Sequence, residues 1–124
     1  MTFDPQDFLT FAKAVEQETS PVPEARLRSG VSRAYYATFL GLRERAKQRG
    51  LFHPNVVKIL HRELILKLKG SSSPDIIRLG HKLAAFKTER ERADYELLVE
   101  VTIADLQGAI SVAEQMRRDS MAYL

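Results

Sequence analysis

The sequence predicts an all-α protein, a compact antiparallel bundle of four to five helices, and three observations carry that prediction. Apolar residues recur at steps of three and four along most of the chain. No segment alternates apolar and polar residues with the period of a half-buried strand, and no repeat or low-complexity tract is present. Cap-like residues followed by proline punctuate the periodic stretches, as at Asp4-Pro5 and Ser73-Pro74. With 124 residues, 44% of them apolar and 28% charged, the chain has the size and balance of one folded domain, taken as 1–124.

The first helix is expected at about 5–18. Asp4 offers an N-cap oxygen, Pro5 needs no amide partner at the first position, and Asp7 suits the positive end of the dipole. Phe8, Phe11, Ala12 and Val15 follow at helical spacing, and Thr19-Ser20-Pro21 should end the helix. A second helix, 23–49, contains no internal proline and carries Leu27, Val31, Tyr35, Thr38 and Leu42 as its apolar stripe. Gly30 and Gly41 in its interior suggest close helix–helix approach, and Gly50 a left-handed C-cap.

Pro54 is read as the start of a third helix, 54–69, with Val57, Leu60, Leu64 and Leu68 inward and Lys67 and Lys69 in its last turn. After the Gly70-Ser71-Ser72-Ser73 connector, a fourth helix, 74–86, turns Ile76, Leu79, Gly80 and Leu83 inward. Residues 87–94 offer two competing helix starts, Thr88 with Glu91 as a capping box or Asp94 as a later N-cap, so a turn ending near Asp94 is expected. The last helix, 94–119, carries Leu98, Val99, Thr102, Ile103, Leu106, Ala109, Ile110, Ala113 and Met116, with Arg117-Arg118 in its last turn and a frayed tail beyond Asp119.

Composition narrows function mainly by exclusion. Apolar runs are far shorter than the roughly 20 residues a bilayer requires, and Met1-Thr2-Phe3-Asp4 does not begin a leader, so no membrane association and a cytoplasmic location are expected. Without cysteine there is no disulfide, thiolate zinc site or cysteine nucleophile. Phosphate-loop, dinucleotide, zinc-protease and serine-hydrolase motifs are absent, and His53, His61 and His81 lack metal-ligand spacing. No metal and no cofactor are expected.

The net charge of +3 is concentrated between Glu24 and Arg49, where seven cations, Arg26, Arg28, Arg33, Arg43, Arg45, Lys47 and Arg49, face only Glu24 and Glu44. That segment is either a solvated face or a phosphate-facing one. Tyr35 and Tyr36 project about 100° apart on a helix. Tyr35 belongs to the apolar stripe, whereas Tyr36 shares a face with Arg33 and Ser29, a mixture suited to a phosphate or to a carboxylate from another helix. Arg90-Glu91-Arg92-Ala93-Asp94-Tyr95 is the other dense cluster. There Asp94 could cap, Tyr95 could pack beneath, and Arg92 could pair with Asp94 or Glu96.

Taken in order, Ser32-Arg33-Ala34-Tyr35-Tyr36-Ala37 with Phe39, His53 ahead of Val56-Val57, and Leu83 with Arg92-Ala93-Asp94-Tyr95 before a long amphipathic helix resemble the HEPN domain family. The resemblance implies a helical bundle that forms a homodimer and binds RNA or a nucleotide. It also implies a toxin-like partner of a nucleotidyltransferase antitoxin, in a toxin-antitoxin or defence pair.

Arg33, Tyr36, Arg90, Arg92 and Asp94 are the binding residues it suggests, and Arg92 and Tyr95 the catalytic ones. Many members are metal-independent endoribonucleases with an Arg-x4-6-His motif, whose arginine holds the phosphate and whose histidine moves a proton. Here no arginine precedes a histidine at that spacing; Arg92 is followed there by Leu97, Leu98 and Val99, and Arg90 by Tyr95 at the shorter offset. The alternatives are an endoribonuclease with a degenerate site, to which His53 or Tyr95 comes from elsewhere in the fold, and a non-catalytic protein-interaction bundle. By position Tyr95 is also the candidate acceptor for nucleotidyl transfer.

Overall fold

The computed structural model describes residues 3–19 and 21–124; Met1, Thr2 and Ser20 lie outside them, and with Ser20 part of the stop expected at Thr19-Ser20-Pro21. The described residues form five helices and no strand: α1 Gln6–Glu16, α2 Glu24–Gln48, α3 His61–Lys69, α4 Pro74–Tyr95 and α5 Ile103–Tyr123. This is the all-α helical bundle expected. None of these helices is long and apolar enough to cross a membrane.

Helix α2 is the central element, packed on α1, α4 and α5, while α3 packs on α4 and α1 also touches α5. Its predicted stripe, Leu27, Val31, Tyr35, Thr38 and Leu42, is buried throughout. Ala34 and Ala37 are also buried, which lets neighbouring helices come close. At Gly30 a Cβ would stand 2.7 Å from Leu106 of α5, so this glycine does mark a close approach. Gly41 does not, since its nearest neighbour, Gln6, would be at an ordinary 3.7 Å. Gly50 has φ +73°, and the Leu51 and Gly50 amides donate to the Ala46 and Lys47 carbonyls, closing α2 with a Schellman motif.

Four helix boundaries differ from expectation by more than two residues. The third helix begins at His61 and not at Pro54. His53 Nδ1 accepts the Asn55 amide in a local turn, and the β-branched run then continues without helix, burying Ile59 while Val57 and Leu60 are exposed. The fourth helix does not stop at Phe86. It runs to Tyr95, because Leu79, Leu83, Phe86, Arg90 and Ala93 form one continuous buried face. Thr88 and Asp94 are therefore interior positions and not caps, and Thr88 Oγ1 donates to the Ala84 carbonyl one turn back.

The fifth helix starts at Ile103, so Leu98 and Val99 lie in the connector, Leu98 fully exposed. Thr102 caps it, accepting the Asp105 amide while the Asp105 carboxylate accepts the Thr102 amide at 2.8 Å. Its C-terminal turn does not fray at Asp119. Arg45 donates to the Ser120 and Met121 carbonyls, and Leu124 is buried, so Arg117 and Arg118 stand before the last turn.

Two glycines are expected to respond oppositely to alanine. A Cβ on Gly80 would meet the Lys69 backbone nitrogen at 2.8 Å, whereas one on Gly108 meets nothing within 4 Å. Gly80→Ala should destabilise the protein by about 1–3 kcal/mol through overpacking of α3 on α4. Gly108→Ala should stabilise it by up to about 1 kcal/mol through helix propensity. Urea unfolding midpoints of the two variants check the signs.

Candidate functional site

The stripe of α2 carries aromatic residues to the point where α3 and α4 converge on it. Tyr35 is fully buried, edge-on to Phe86 of α4 with ring centroids 5.4 Å apart. His61, the first residue of α3, lies flat on Phe39 at 3.9 Å and edge-on to Tyr36 at 5.7 Å. Its Nδ1 is 2.7 Å from the Tyr35 hydroxyl.

Onto this aromatic cluster α4 brings a cation. The Arg90 guanidinium is 5.2 Å from the centre of the Tyr35 ring and 5.5 Å from that of Tyr36, and the residue is only 7% exposed. Cation–π attraction offsets part of its desolvation. Hydrogen bonding offsets little, because Nη1 donates to Asp94 at a long 3.5 Å and the sealed Nε has no partner among the described residues. Asp94, one turn further along α4, also accepts from Ser32 of α2 at 3.2 Å. Ser32, Tyr35, Tyr36, His61, Arg90 and Asp94 thus form one constellation drawn from three helices.

Around it the surface is cationic. Arg33 lies 5.7 Å from the centre of the Tyr36 ring, and Arg43 lies 5.9 Å from that of Phe39. Arg43 shares Glu44 with Lys47, and Lys87 pairs with Glu91 at 3.1 Å. Burial first, then Arg90 and Lys87, hold the His61 imidazole below its usual range, with Glu91 opposing them and Arg43 adding to them. Burial also pushes the Tyr35 phenol up, against the opposing pull of Arg90, so it keeps its proton. Such a site, aromatic faces ringed by guanidinium and ammonium groups, can bind an anion and stack a planar group beside it.

Of the residues singled out in the sequence, Arg33, Tyr36, Arg90 and Asp94 are brought together here; Arg92 and Tyr95 are not. Arg92 faces the opposite side of α4, 3.7 Å from Asp105 and 3.9 Å from Glu89, rather than pairing with Asp94 or Glu96. It stands at the rim of a cleft of about 500 Å³ between α4 and α5, floored by Val31, Phe86, Val101 and Met116. Tyr95 is the last residue of α4 and is 70% exposed, not packed beneath Asp94.

Three of the seven cations at 24–49, Arg26, Arg28 and Arg45, have structural uses. Arg28 donates to the Ala93 carbonyl at 2.9 Å and to that of Val99, closing α4, while Arg26 pairs with Glu18. His61 is the residue that the motif spacing missed. Lys87, Arg90, Glu91 and Asp94 recur at steps of three and four, and that helical period was the available signal for one continuous face.

Among the described residues no cluster of three or more His, Asp or Glu could hold a metal. Compared with protein-family models, curated proteins and solved structures, the chain finds no match.

The lowered His61 value sets a direction for pH dependence. The folded state holds the neutral ring, so this contribution is complete above the unfolded value near 6.5 and is lost as pH falls through the lower folded value. Unfolding midpoints should therefore fall as pH is lowered from above about 6.5 through the lowered folded value, and less so in His61→Phe. Equal slopes for the two proteins would contradict this assignment.

Proposed function

We propose that this bundle is a HEPN-type RNA- or nucleotide-binding protein whose principal phosphate contact is Arg90, with Arg33, Tyr36, Asp94 and the neighbouring cations completing the site. The observation that carries the reading is the state of Arg90: a buried guanidinium, held against two aromatic faces, with one long hydrogen bond and a sealed, unpartnered Nε. The sealed Nε is out of an anion's reach, but Nη2 has no partner among the described residues and is not sealed, and a phosphate oxygen there has the required charge and acceptor geometry. Arg33 on the same side extends the contact to an adjacent phosphate, and Tyr36 offers a ring for a base.

The resemblance of the α2 motif supports two further elements of the reading: a homodimer, and a role as the toxin-like partner of a nucleotidyltransferase antitoxin. Growth arrest on expression, relieved by a nucleotidyltransferase encoded beside it, is the expected outcome.

A second reading, a metal-independent endoribonuclease, is favoured by one observation, the arrival of His61 beside Arg90 through the fold. In it Arg90 stabilises the phosphate and His61 moves a proton while the ribose 2′-OH attacks. It requires cleavage products ending in a cyclic phosphate that disappear in His61→Gln.

Fluorescence anisotropy of a short labelled single-stranded RNA tests the binding reading. Affinity should fall steeply with salt. Arg90→Lys, which keeps the charge but loses the planar fork, should weaken binding about tenfold. Arg92→Ala, on the far side of α4, should change it by no more than about twofold. The reading is sunk if the wild-type protein shows no salt-sensitive binding, or if folded Arg90→Lys binds unchanged.

A further inference from the structure

We propose that Tyr35 donates its phenolic hydrogen to Nδ1 of His61 and so fixes His61 as the neutral tautomer whose Nε2–H faces outward, making His61 a second anion-binding residue beside Arg90. The tautomer follows from the geometry alone. That the outward N–H meets a phosphate oxygen rests on the phosphate-binding reading above.

Tyr35 is 0% exposed, and its hydroxyl has one partner among the described residues, His61 Nδ1 at 2.7 Å. A phenol has a single hydrogen, and Nδ1 can either receive it or donate its own. If the imidazole donated, the phenolic hydrogen would be left buried without an acceptor. If the phenol donates, only the acceptor capacity of its oxygen goes unused, which is the smaller penalty.

The imidazolium alternative places a third hydrogen-bonding arrangement in a cationic setting. Arg43 from α2 and Lys87 and Arg90 from α4 face the ring, against Glu91 of α4. Stacking on Phe39 at 17° between planes and edge contact with Tyr36 at 75° hold the ring in one orientation, so that Nδ1 stays turned towards Tyr35. Nε2, on the opposite side of the ring, donates to nothing in the described chain and is not among its sealed, unpartnered atoms, so it reaches solvent.

Tyr35 is on this account a positioning residue, and it sets what His61 can do. The outward atom offers a hydrogen bond without proton transfer and presents no lone pair. To act as a base towards a 2′-OH, His61 would first have to tautomerise and give up the Tyr35 bond.

Long-range proton–nitrogen NMR correlation of the imidazole rings in the free protein near neutral pH reads the tautomer directly. Wild-type His61 should show a pyridine-type Nδ1 and a pyrrole-type Nε2, and Tyr35→Phe should move both towards averaged values. A pyrrole-type Nδ1 in the wild-type protein overturns the assignment, whether or not Tyr35→Phe folds.

Binding of a short labelled single-stranded RNA, with inorganic phosphate as competitor, reads the second half. His61→Leu should weaken binding roughly three- to tenfold. His61→Gln, whose amide N–H stands near the position of Nε2–H, should recover most of the loss. If folded His61→Leu binds like wild type while Arg90→Lys is weakened, the anion role of His61 is overturned and the phosphate-binding reading stands. If neither variant changes binding, both are overturned.

Discussion

The buried hydroxyl of Tyr35 is the point on which α2, α3 and α4 agree. Its ring packs against Phe86 and lies under the Arg90 guanidinium of α4, while its oxygen holds His61 at the start of α3. Helix α3 packs chiefly on α4, and Tyr35, Tyr36 and Phe39 tie its first turn to the central helix. A phenylalanine could fill the same volume, but it would leave Nδ1 without its donor and the imidazole free to choose its tautomer. The Tyr35 hydroxyl therefore couples packing to the chemistry of the surface above it.

The neighbouring compromise is Arg90. A guanidinium removed from water needs compensation, and here it comes from two π faces and from Asp94, which Ser32 steadies from across the α2–α4 interface. Planarity matters, because a flat, delocalised cation can lie against a ring as a compact ammonium cannot. The compensation is incomplete, and the atoms that lack partners lie at the one place where cations of α2 and α4 gather. In the proposed binding reading, an anion supplies the missing partner.

How far the sequence was legible follows from which forces each element uses. Helix α2 and its core stripe were readable, since Leu27, Val31, Tyr35, Thr38 and Leu42 obey the helical period and Gly50 has the positive φ that favours glycine. Helix α4 runs through the turn expected at 87–94 because Arg90 belongs to its buried face. The burial of Arg90 depends on rings more than fifty positions away in sequence, which no local pattern contains. His61 was missed for the same reason: it reaches Arg90 through packing, and a motif defined by spacing on one helix is blind to it. Asp94 and Thr88 were mistaken for caps because the same short polar side chains serve caps and helix interiors alike, with Thr88 bonding backward and Asp94 sideways.

The charge count of α2 misleads in the opposite direction. Arg28 and Arg45 neutralise the carbonyl ends of α4 and α5, where cations oppose the helix dipole, and the Ser120 carbonyl accepts both Arg45 and the Leu124 amide. Arg26 is occupied by Glu18. What remains at the aromatic cluster is a smaller set: Arg33, Arg43, Lys87 and Arg90, with Asp94 and Glu91 inside it and Glu44 shared at its edge. Cations still outnumber carboxylates there, and of these four only Arg90 is buried. In low dielectric that charge acts at greater strength than any of its solvated neighbours. In the proposed binding reading, an anion drawn by Arg33 and Arg43 meets its strongest partner in Arg90, beside His61. The continuous α4 makes this possible, since a turn at 87–94 would have separated Arg90 from Asp94 and turned both out of the interface with α2.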